Sequence, residues 1–527
     1  MTSFSWNNPY AWPRRPVLAA NAVATSQPLA AQAGLQMLAE GGSAIDAALA
    51  AAITLTLVEP VSNGIGSDAY AIVWDARQLH GLNASGRSPA GWTPELFGSQ
   101  KAMPARGWNT VTVPGCVSAW VELHRKFGKL AFEKLFEKAI RYGREGFLVS
   151  PTIAQQWEKQ VPELKAQPGF AEAFMPGGRA PRPGERFRFP EHADVLEQIA
   201  QSGGEAFYRG NLAEKIEAHA RKHGAAMRAS DLAAHRPDWI APLQIDYRGY
   251  TLHELPPNGQ GIVALIALGI LQHFELASLK VDGADSLHLQ IEAMKLAFAD
   301  ARRYVADIDY MDVRPQQLLD QGYLKSRAAR IDMKRAQDFA HGVPPKGGTV
   351  YLAAADAAGM MVSFIQSNYM GFGSGVVVNG ISMQNRGASF VMTPGHPNRV
   401  GPGKRPYQTI IPGFVTQNGQ PVMSFGVMGG TMQPQGHAQV MVRIADYGQN
   451  PQAACDGPRF RIVQGMEVSV ETGFAPAVLE DLARRGHKIV SVPDDDNQFG
   501  AAQLIWKLDG GYFAASDPRR DGQAVGF

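Results

Sequence analysis

Apolar residues along this chain recur with one period and then another, and each change of period marks an element. From Pro28 to Leu57 the spacing is helical: Leu29 to Ala39 first, then, past the break Gly41-Gly42-Ser43, an alanine-rich run from Ala44. Ser43 suits an N-cap, because its hydroxyl can accept from an otherwise unpaired first-turn amide. Small residues on both runs predict two closely stacked helices. After Glu59-Pro60 and a Gly/Ser loop at Gly64 to Ser67, the alternation of Ala69 to Trp74 predicts a strand. A second strand near His80 to Asn83 completes a hairpin that delivers Arg87 at a strand end.

Between Trp120 and Arg236 helical segments are joined by loops, among them the Pro/Gly-rich Met175 to Phe189. A strand from Tyr250 ends at Pro256-Pro257-Asn258-Gly259, which opens an apolar helix through Leu271; a longer helix runs from Ser286 to Tyr304. From Arg330 to Lys346 the pattern decays into a polar segment with Pro and Gly, the kind of exposed linker at which a chain can be cut. Beyond it, short apolar strands separated by glycines dominate, and the clearest helix of the C-terminal third is placed at Ala475 to Arg485. Strands and helices in both halves predict an α/β layered fold.

Composition narrows the class without naming it. A length of 527 residues would by itself suggest two to four domains, and 45% apolar with 19% charged residues describes an ordinary globular chain. Fifty basic against 48 acidic residues leave a formal charge of +2 and no long run of one sign, so neither a nucleic acid nor a membrane surface is advertised as a partner. The two cysteines, Cys116 and Cys455, suggest neither a disulfide framework nor a zinc site and are expected as buried free thiols. Met1 to Arg15 lacks the apolar core of a secretory signal, and Ala44 to Val58, with Asp46 inside it, is short for a bilayer span. A cytoplasmic protein with a buried helix is the expectation.

The segment richest in chemistry is Gly347-Gly348-Thr349-Val350-Tyr351-Leu352-Ala353-Ala354-Ala355-Asp356, followed by a turn at Ala357-Ala358-Gly359 and a strand from Met360 to Ser367. With the turn centred on Ala358, Thr349 and Ser367 stand opposite each other on paired strands, so two hydroxyls share one place. Two glycines before the threonine allow an unusual backbone at the Gly348–Thr349 bond, where attack by the hydroxyl on the preceding carbonyl would cut the chain. The freed α-amine, with an ordinary pKa of about 7.7–8.0, can then act as base for its own hydroxyl. The plain alternative is a loop feeding a strand.

Other pieces decide between these readings. In chain order they are Gly41-Gly42-Ser43-Ala44-Ile45-Asp46-Ala47-Ala48, Glu59-Pro60 with Gly64-Ile65-Gly66, Gly86-Arg87, Val113-Pro114-Gly115, Tyr247-Arg248-Gly249-Tyr250 with Pro256-Pro257, Thr349, Phe372-Gly373-Ser374-Gly375, Gly403-Lys404-Arg405-Pro406 and Gly429-Gly430. By this ordered set the chain resembles the γ-glutamyltransferase family of N-terminal-nucleophile hydrolases over nearly its whole length. The resemblance implies an α/β (α+β) fold, a four-layer αββα sandwich. It also implies self-cleavage into a large subunit, 1–348, and a small subunit, 349–527, that build one core as a heterodimer or as a dimer of such heterodimers.

The resemblance further implies Thr349 as nucleophile and Ser367 in the place of a second, supporting threonine. Gly429 and Gly430 match the glycine pair whose N–H groups form an oxyanion hole; on their own they read as a turn after Met428. Arg87 matches the arginine that grips a substrate carboxylate, a task for a planar bidentate donor, against the plain reading of a surface salt bridge.

Departures from the family pattern bear on the substrate. Ser389 stands where an aspartate would hold an α-ammonium, and Arg386 replaces a neutral glutamine. Tyr369 replaces an asparagine, and Gln408 takes the first of two serine positions, Thr409 the second. Ser67-Asp68 stands where the family continues in glycine, with no evident consequence. A shallow, cationic pocket implies a small amide bearing a carboxylate and no amine. The runs Ser367 to Gly373 and Gly426 to Gly436 look most like members that hydrolyse oxamate to oxalate and ammonia in purine and urate degradation. No metal or organic cofactor is implied. Alternatives are a γ-glutamyl hydrolase or transferase, a glutaryl-amide acylase, and an uncut, inactive binding protein. His288 and Glu292 share a helix face and are expected as a surface contact rather than metal ligands, and His437 is expected in the core.

Overall fold

The computed structural model of the protein describes residues 14–98, 100–339, 348–493 and 498–527. Residues 340–346 of the expected linker, Gly347, and residues 1–13 of the N-terminal segment lie outside them.

Two seven-stranded antiparallel sheets dominate. One runs in the order Gln523–Gly526, Ala22–Thr25, Gly348–Ala355, Met361–Tyr369, Asp68–Trp74, Leu79–Asn83, Asp238–Ile240; the other runs Val17–Ala19, Gly511–Ser516, Ala501–Leu508, Gln420–Met428, Gly413–Gln417, Tyr250–Glu254, Leu243–Tyr247. Side-chain alternation along the strands sets the layers. Val350, Leu352 and Ala354 point into an outer core with the helices Pro28–Ala39 and Ala44–Val58, whereas Tyr351, Ala353 and Ala355 point inward to meet Phe414, Met428, Ile505 and Ala514 of the second sheet. On the far side Met423, Phe425 and Val427 pack against the helices Gly261–Leu271, Ala284–Tyr304 and Met432–Ala445. The result is the four-layer αββα sandwich.

Residues on both sides of the Gly348–Thr349 bond supply strands to both sheets. Length suggested separate domains; instead a single layered core interleaves the two segments, so neither could bury its own strands alone. The Ala44–Val58 helix is buried along its whole length, and Ser43 caps it in a reciprocal box with Asp46. Both cysteines are buried and free. Among the described residues no helix is long and apolar enough to cross a membrane.

One sequence expectation needs correction. The helix at Pro476–Arg484 is present, but the longer and more deeply buried helix of this third is Met432–Ala445, directly after Gly429-Gly430. Pro434 and Gly436 disguise it in the sequence, yet a proline in a first helical turn costs little, since that N–H lacks an intrahelical partner anyway.

Candidate active site

Thr349 shares the parity of Tyr351 and Ala353, so it begins the inward-facing row of its strand. The hairpin pairs Val350 with Gln366 and Ala355 with Met361, about the centre the sequence predicted, and a bulge between Gly348 and Val350 shifts the pairing so that Gly348 meets Tyr369. Within that bulge Thr349 Oγ1 and Ser367 Oγ lie 3.1 Å apart. Ser367 Oγ also accepts from the Tyr369 amide at 2.8 Å, which fixes it below the threonine. Thr349 is only 3% exposed.

The second sheet brings the glycine pair. The Gln420–Met428 strand ends and the next helix begins only two residues past Gly430, so the chain must turn sharply; Gly429 does so with φ 118° and Gly430 with φ 61°. Successive glycines in this conformation can turn their N–H groups toward one concave point. Gln260 holds this turn in place by donating through Nε2 to the carbonyls of Gly430 (2.8 Å) and Thr409 (2.7 Å). From the new helix Gln433 reaches back, its Nε2 donating to Thr349 Oγ1 at 3.3 Å. The sequence reading missed both glutamines.

Around this centre sit most of the remaining candidates. Arg386 is fully buried, 4.3 Å above the Tyr369 ring, and its Nη1 donates to Thr409 Oγ1 at 2.8 Å. Its Nε and Nη2 are buried with no hydrogen-bond partner among the described residues. Burial pulls this guanidinium down to about 10, with Asp68 and then Tyr369 opposing. Ser389 ends the short 3₁₀ turn that begins at Arg386, and its hydroxyl is buried with no hydrogen-bond partner among the described residues.

Asp68, whose role the sequence left open, carries the negative charge that most favours the ionised form of this arginine. It sits opposite Ser367 on the neighbouring strand and accepts from the Gly86 amide (3.1 Å) and from Gln408 Nε2 (2.9 Å). Gly86 is obligatory there, because a Cβ would lie 1.5 Å from the Val113 carbonyl oxygen. Burial pushes the Asp68 carboxyl up to about 6, Arg386 being the main influence holding it down. The pocket is therefore less cationic than the sequence implied.

Arg87 is placed apart from this group. Its Nη1 donates to Asp307 Oδ2 (3.0 Å) and to the Gly403 carbonyl (3.1 Å), and its side chain is 40% exposed at a separate cavity of about 380 Å³ shared with Arg236 and Arg405. No contact among the described residues links it to Thr349.

The pair His288 and Glu292 requires a second correction. Expected at the surface, both are fully buried, because His487 packs over that helix face and brings its ring within 4.8 Å of them. His288 Nε2 lies 2.9 Å from the Asp332 carbonyl and must donate, so its Nδ1 accepts from His487 Nε2 at 2.9 Å. His487 Nδ1 then accepts from Lys295, whose ammonium also binds Glu292 Oε1 (2.8 Å) and the Gln337 carbonyl (3.2 Å). The donor types would suit a metal, but a lysine ammonium fills the space between them. His437 is in the core, as expected, and accepts from the Val427 amide behind the glycine turn.

Stacked antiparallel sheets between helical layers, with a threonine hydroxyl at the head of an inner strand, define the N-terminal-nucleophile hydrolase class. The gamma-glutamyltranspeptidase family model matches residues 30–527, and the chain belongs to that family. It is 37% identical over 514 residues to the oxamate amidohydrolase proenzyme of Klebsiella pneumoniae subsp. pneumoniae, covering 95% of this chain and 97% of that one. It is 36% identical over 511 residues to the glutathione hydrolase-like YwrD proenzyme of Bacillus subtilis, covering 94% and 97%. Among solved structures, the cephalosporin acylase from Bacillus halodurans matches with TM-score 0.95 and 49% identity over 100% of this chain and 99% of that one. The protein is thus an amide-hydrolysing enzyme of the N-terminal-nucleophile type.

Proposed function

We propose that the chain cuts itself between Gly348 and Thr349 and then hydrolyses amides whose acyl group carries a carboxylate but no α-ammonium. The observation that carries this reading is Arg386. Its Nε and Nη2 form one edge of a planar fork, both buried and unpaired, and a buried cationic edge left open is costly unless a ligand fills it. A carboxylate docks on such an edge through two parallel hydrogen bonds.

Tyr369 stacked on this arginine and Gln408 tied to Asp68 fill volume that smaller residues would leave open. That favours a short acyl group, and oxamate, with its carboxylate bonded to the scissile carbon, is the substrate we place first. A second reading, a longer dicarboxylic acyl amide such as a glutaryl amide, is favoured by the 49% identity to a protein described as a cephalosporin acylase.

Thr349 Oγ1 attacks the amide carbon while the freed Thr349 α-amine takes its proton; the same proton passes to the leaving nitrogen as the C–N bond breaks. Water then attacks the resulting ester, giving its proton to the amine, which returns it to Oγ1 as the C–O bond opens. The N–H groups of Gly429 and Gly430 are assigned to the carbonyl oxygen in both halves, and Arg386 to the substrate carboxylate. The two fragments remain together as a heterodimer because both supply strands to both sheets. Denaturing electrophoresis and ammonia or amine release from oxamate, glutaryl and γ-glutamyl amides test the reading. Two unequal fragments with a preference for the first two amides are expected for the native protein, and one uncut, inactive chain for Thr349→Ala. An active Thr349→Ala variant overturns the assignment.

A further inference from the structure

We infer that Gln433 is a catalytic residue whose side-chain N–H stabilises the Thr349 oxygen when it leaves the acyl-enzyme. The inference rests on the proposed role of Thr349 and adds a donor that neither the sequence pattern nor the glycine pair supplies.

Three glutamines on the first turns of the Met432–Ala445 helix are all buried, and they differ in how their amides are used. Gln435 accepts from the Ile462 amide and donates to the Thr431 and Ile462 carbonyls. Gln439 accepts from the Phe460 amide and donates to the Phe460 and Gln435 carbonyls. Both are thereby spent on holding backbone. Gln433 Oε1 likewise accepts from a backbone amide, that of Ile411, at 3.0 Å, but its Nε2 donates to Thr349 Oγ1. The Ile411 bond settles which end of the amide faces the threonine, since an N–H donor there requires the carbonyl end.

A fixed neutral donor does little for attack, because it draws electron density from the oxygen that must act as nucleophile. It helps the reverse event. In deacylation water adds to the ester carbonyl, the C–Oγ1 bond breaks with its electron pair going to Oγ1, and the α-ammonium of Thr349 delivers the proton. Charge builds on Oγ1 before that proton arrives, 3.3 Å from a donor already oriented in a water-poor site. The glycine N–H groups serve the carbonyl oxygen; Gln433 serves the leaving oxygen. Ser367 Oγ, occupied by the Tyr369 amide, supports the same atom from the other side.

Two substitutions separate this role from a structural one. Gln433→Glu keeps the acceptor for the Ile411 amide and removes the donor above the pKa of the new carboxyl; Gln433→Met keeps length and removes both. The probe is glutaryl 4-nitroanilide, mixed rapidly with the self-cleaved variants, with the intact mass of the small fragment read during turnover. Expected are a fall in kcat of roughly tenfold or more, a burst of 4-nitroaniline stoichiometric with enzyme, a glutaryl adduct on the small fragment, a lowered KM, and acceleration by hydroxylamine. Gln433→Glu is expected to recover activity toward acid pH, where its carboxyl regains a proton to donate. Cleaved variants that turn over at the native rate, or slowly without burst or adduct, overturn the inference. Should Thr349→Ala remain active, the functional reading fails first; with Thr349→Ala dead and Gln433 variants unimpaired, this inference alone falls.

Discussion

Thr349 Oγ1 and Ser367 Oγ face each other at 3.1 Å across a bulge in an otherwise regular antiparallel hairpin. The extra residue of the bulge is on the Met361–Tyr369 strand, where Ser367 and Asn368 together stand opposite Thr349. Ser367→Ala leaves the register intact and removes one hydroxyl from the reacting oxygen. A hydrogen bond to a group developing charge is worth about 1.5–3 kcal/mol, so kcat should fall roughly ten- to hundredfold with little change in KM, and the self-cut, followed by electrophoresis of fresh protein, should slow as well. Ser367→Thr should restore both rates. Unchanged rates in the alanine variant would remove Ser367 from the mechanism.

The two glycines of the turn should differ in tolerance. Gly430 at φ 61° lies in the left-handed region that other residues enter at about 1–2 kcal/mol, whereas Gly429 at φ 118° lies outside it, with a Cβ landing 3.1 Å from Gly500 Cα and 3.4 Å from Met432 Cβ. Gly429→Ala is therefore expected to lose activity by a hundredfold or more and to lower the thermal midpoint. Gly430→Ala should fold near-normally with a milder kinetic loss. The opposite order would mean that the turn is not held in this shape during catalysis.

Much of this site was legible in the sequence, for identifiable reasons. Strand and turn chemistry around Ala358 fixed which hydroxyls meet, since an antiparallel register follows from the turn centre alone. The glycine pair was placed by the resemblance to the family, since on its own it reads as a turn after Met428. What escaped were contacts between distant segments: Asp68 with Gln408, 340 positions apart, and His288 with His487, 199 apart. Neither Asp68 nor Gln408 has meaning alone. Together they form a buried neutral-to-charged pair that only the folded chain brings together. Gln433 escaped because Pro434 and Gly436 hid its helix, and with it the face that points at Thr349.

Arg386 supplies a test of substrate class. Arg386→Lys keeps a positive charge beside Asp68, so that carboxylate is not stranded in the interior, but the ammonium cannot reproduce a side-on fork. Breaking a buried, hydrogen-bonded charge pair costs about 2–5 kcal/mol. The expected loss in kcat/KM for oxamate or a glutaryl amide is thus roughly thirtyfold to several thousandfold, while an acetyl anilide, which has no carboxylate, should change little. Equal losses on both kinds of substrate would show that Arg386 supports the fold and not the ligand.

A final prediction concerns acid and base. Glu59 is fully buried at the end of the Ala44–Val58 helix, where Ser26 Oγ donates to Oε2 at 2.5 Å and Oε1 has no partner among the described residues. Burial pushes its carboxyl from 4.5 up to about 7, with the Ser26 bond and Arg520 opposing. The folded chain therefore holds a proton that the unfolded chain releases between pH 4.5 and about 7. The stabilisation is complete below the lower value and is lost as pH rises through the upper one, a change of order 3 kcal/mol. Asp68, raised from 3.8 to about 6, adds a slope of the same sign in a lower window. In the uncut Thr349→Ala background, where one chain unfolds, the thermal midpoint should fall by a few degrees from pH 5 to pH 8 relative to that of the same chain carrying Glu59→Gln, whose side chain cannot titrate. Parallel midpoints across that range would mean that Glu59 is solvated or ion-paired in the folded state.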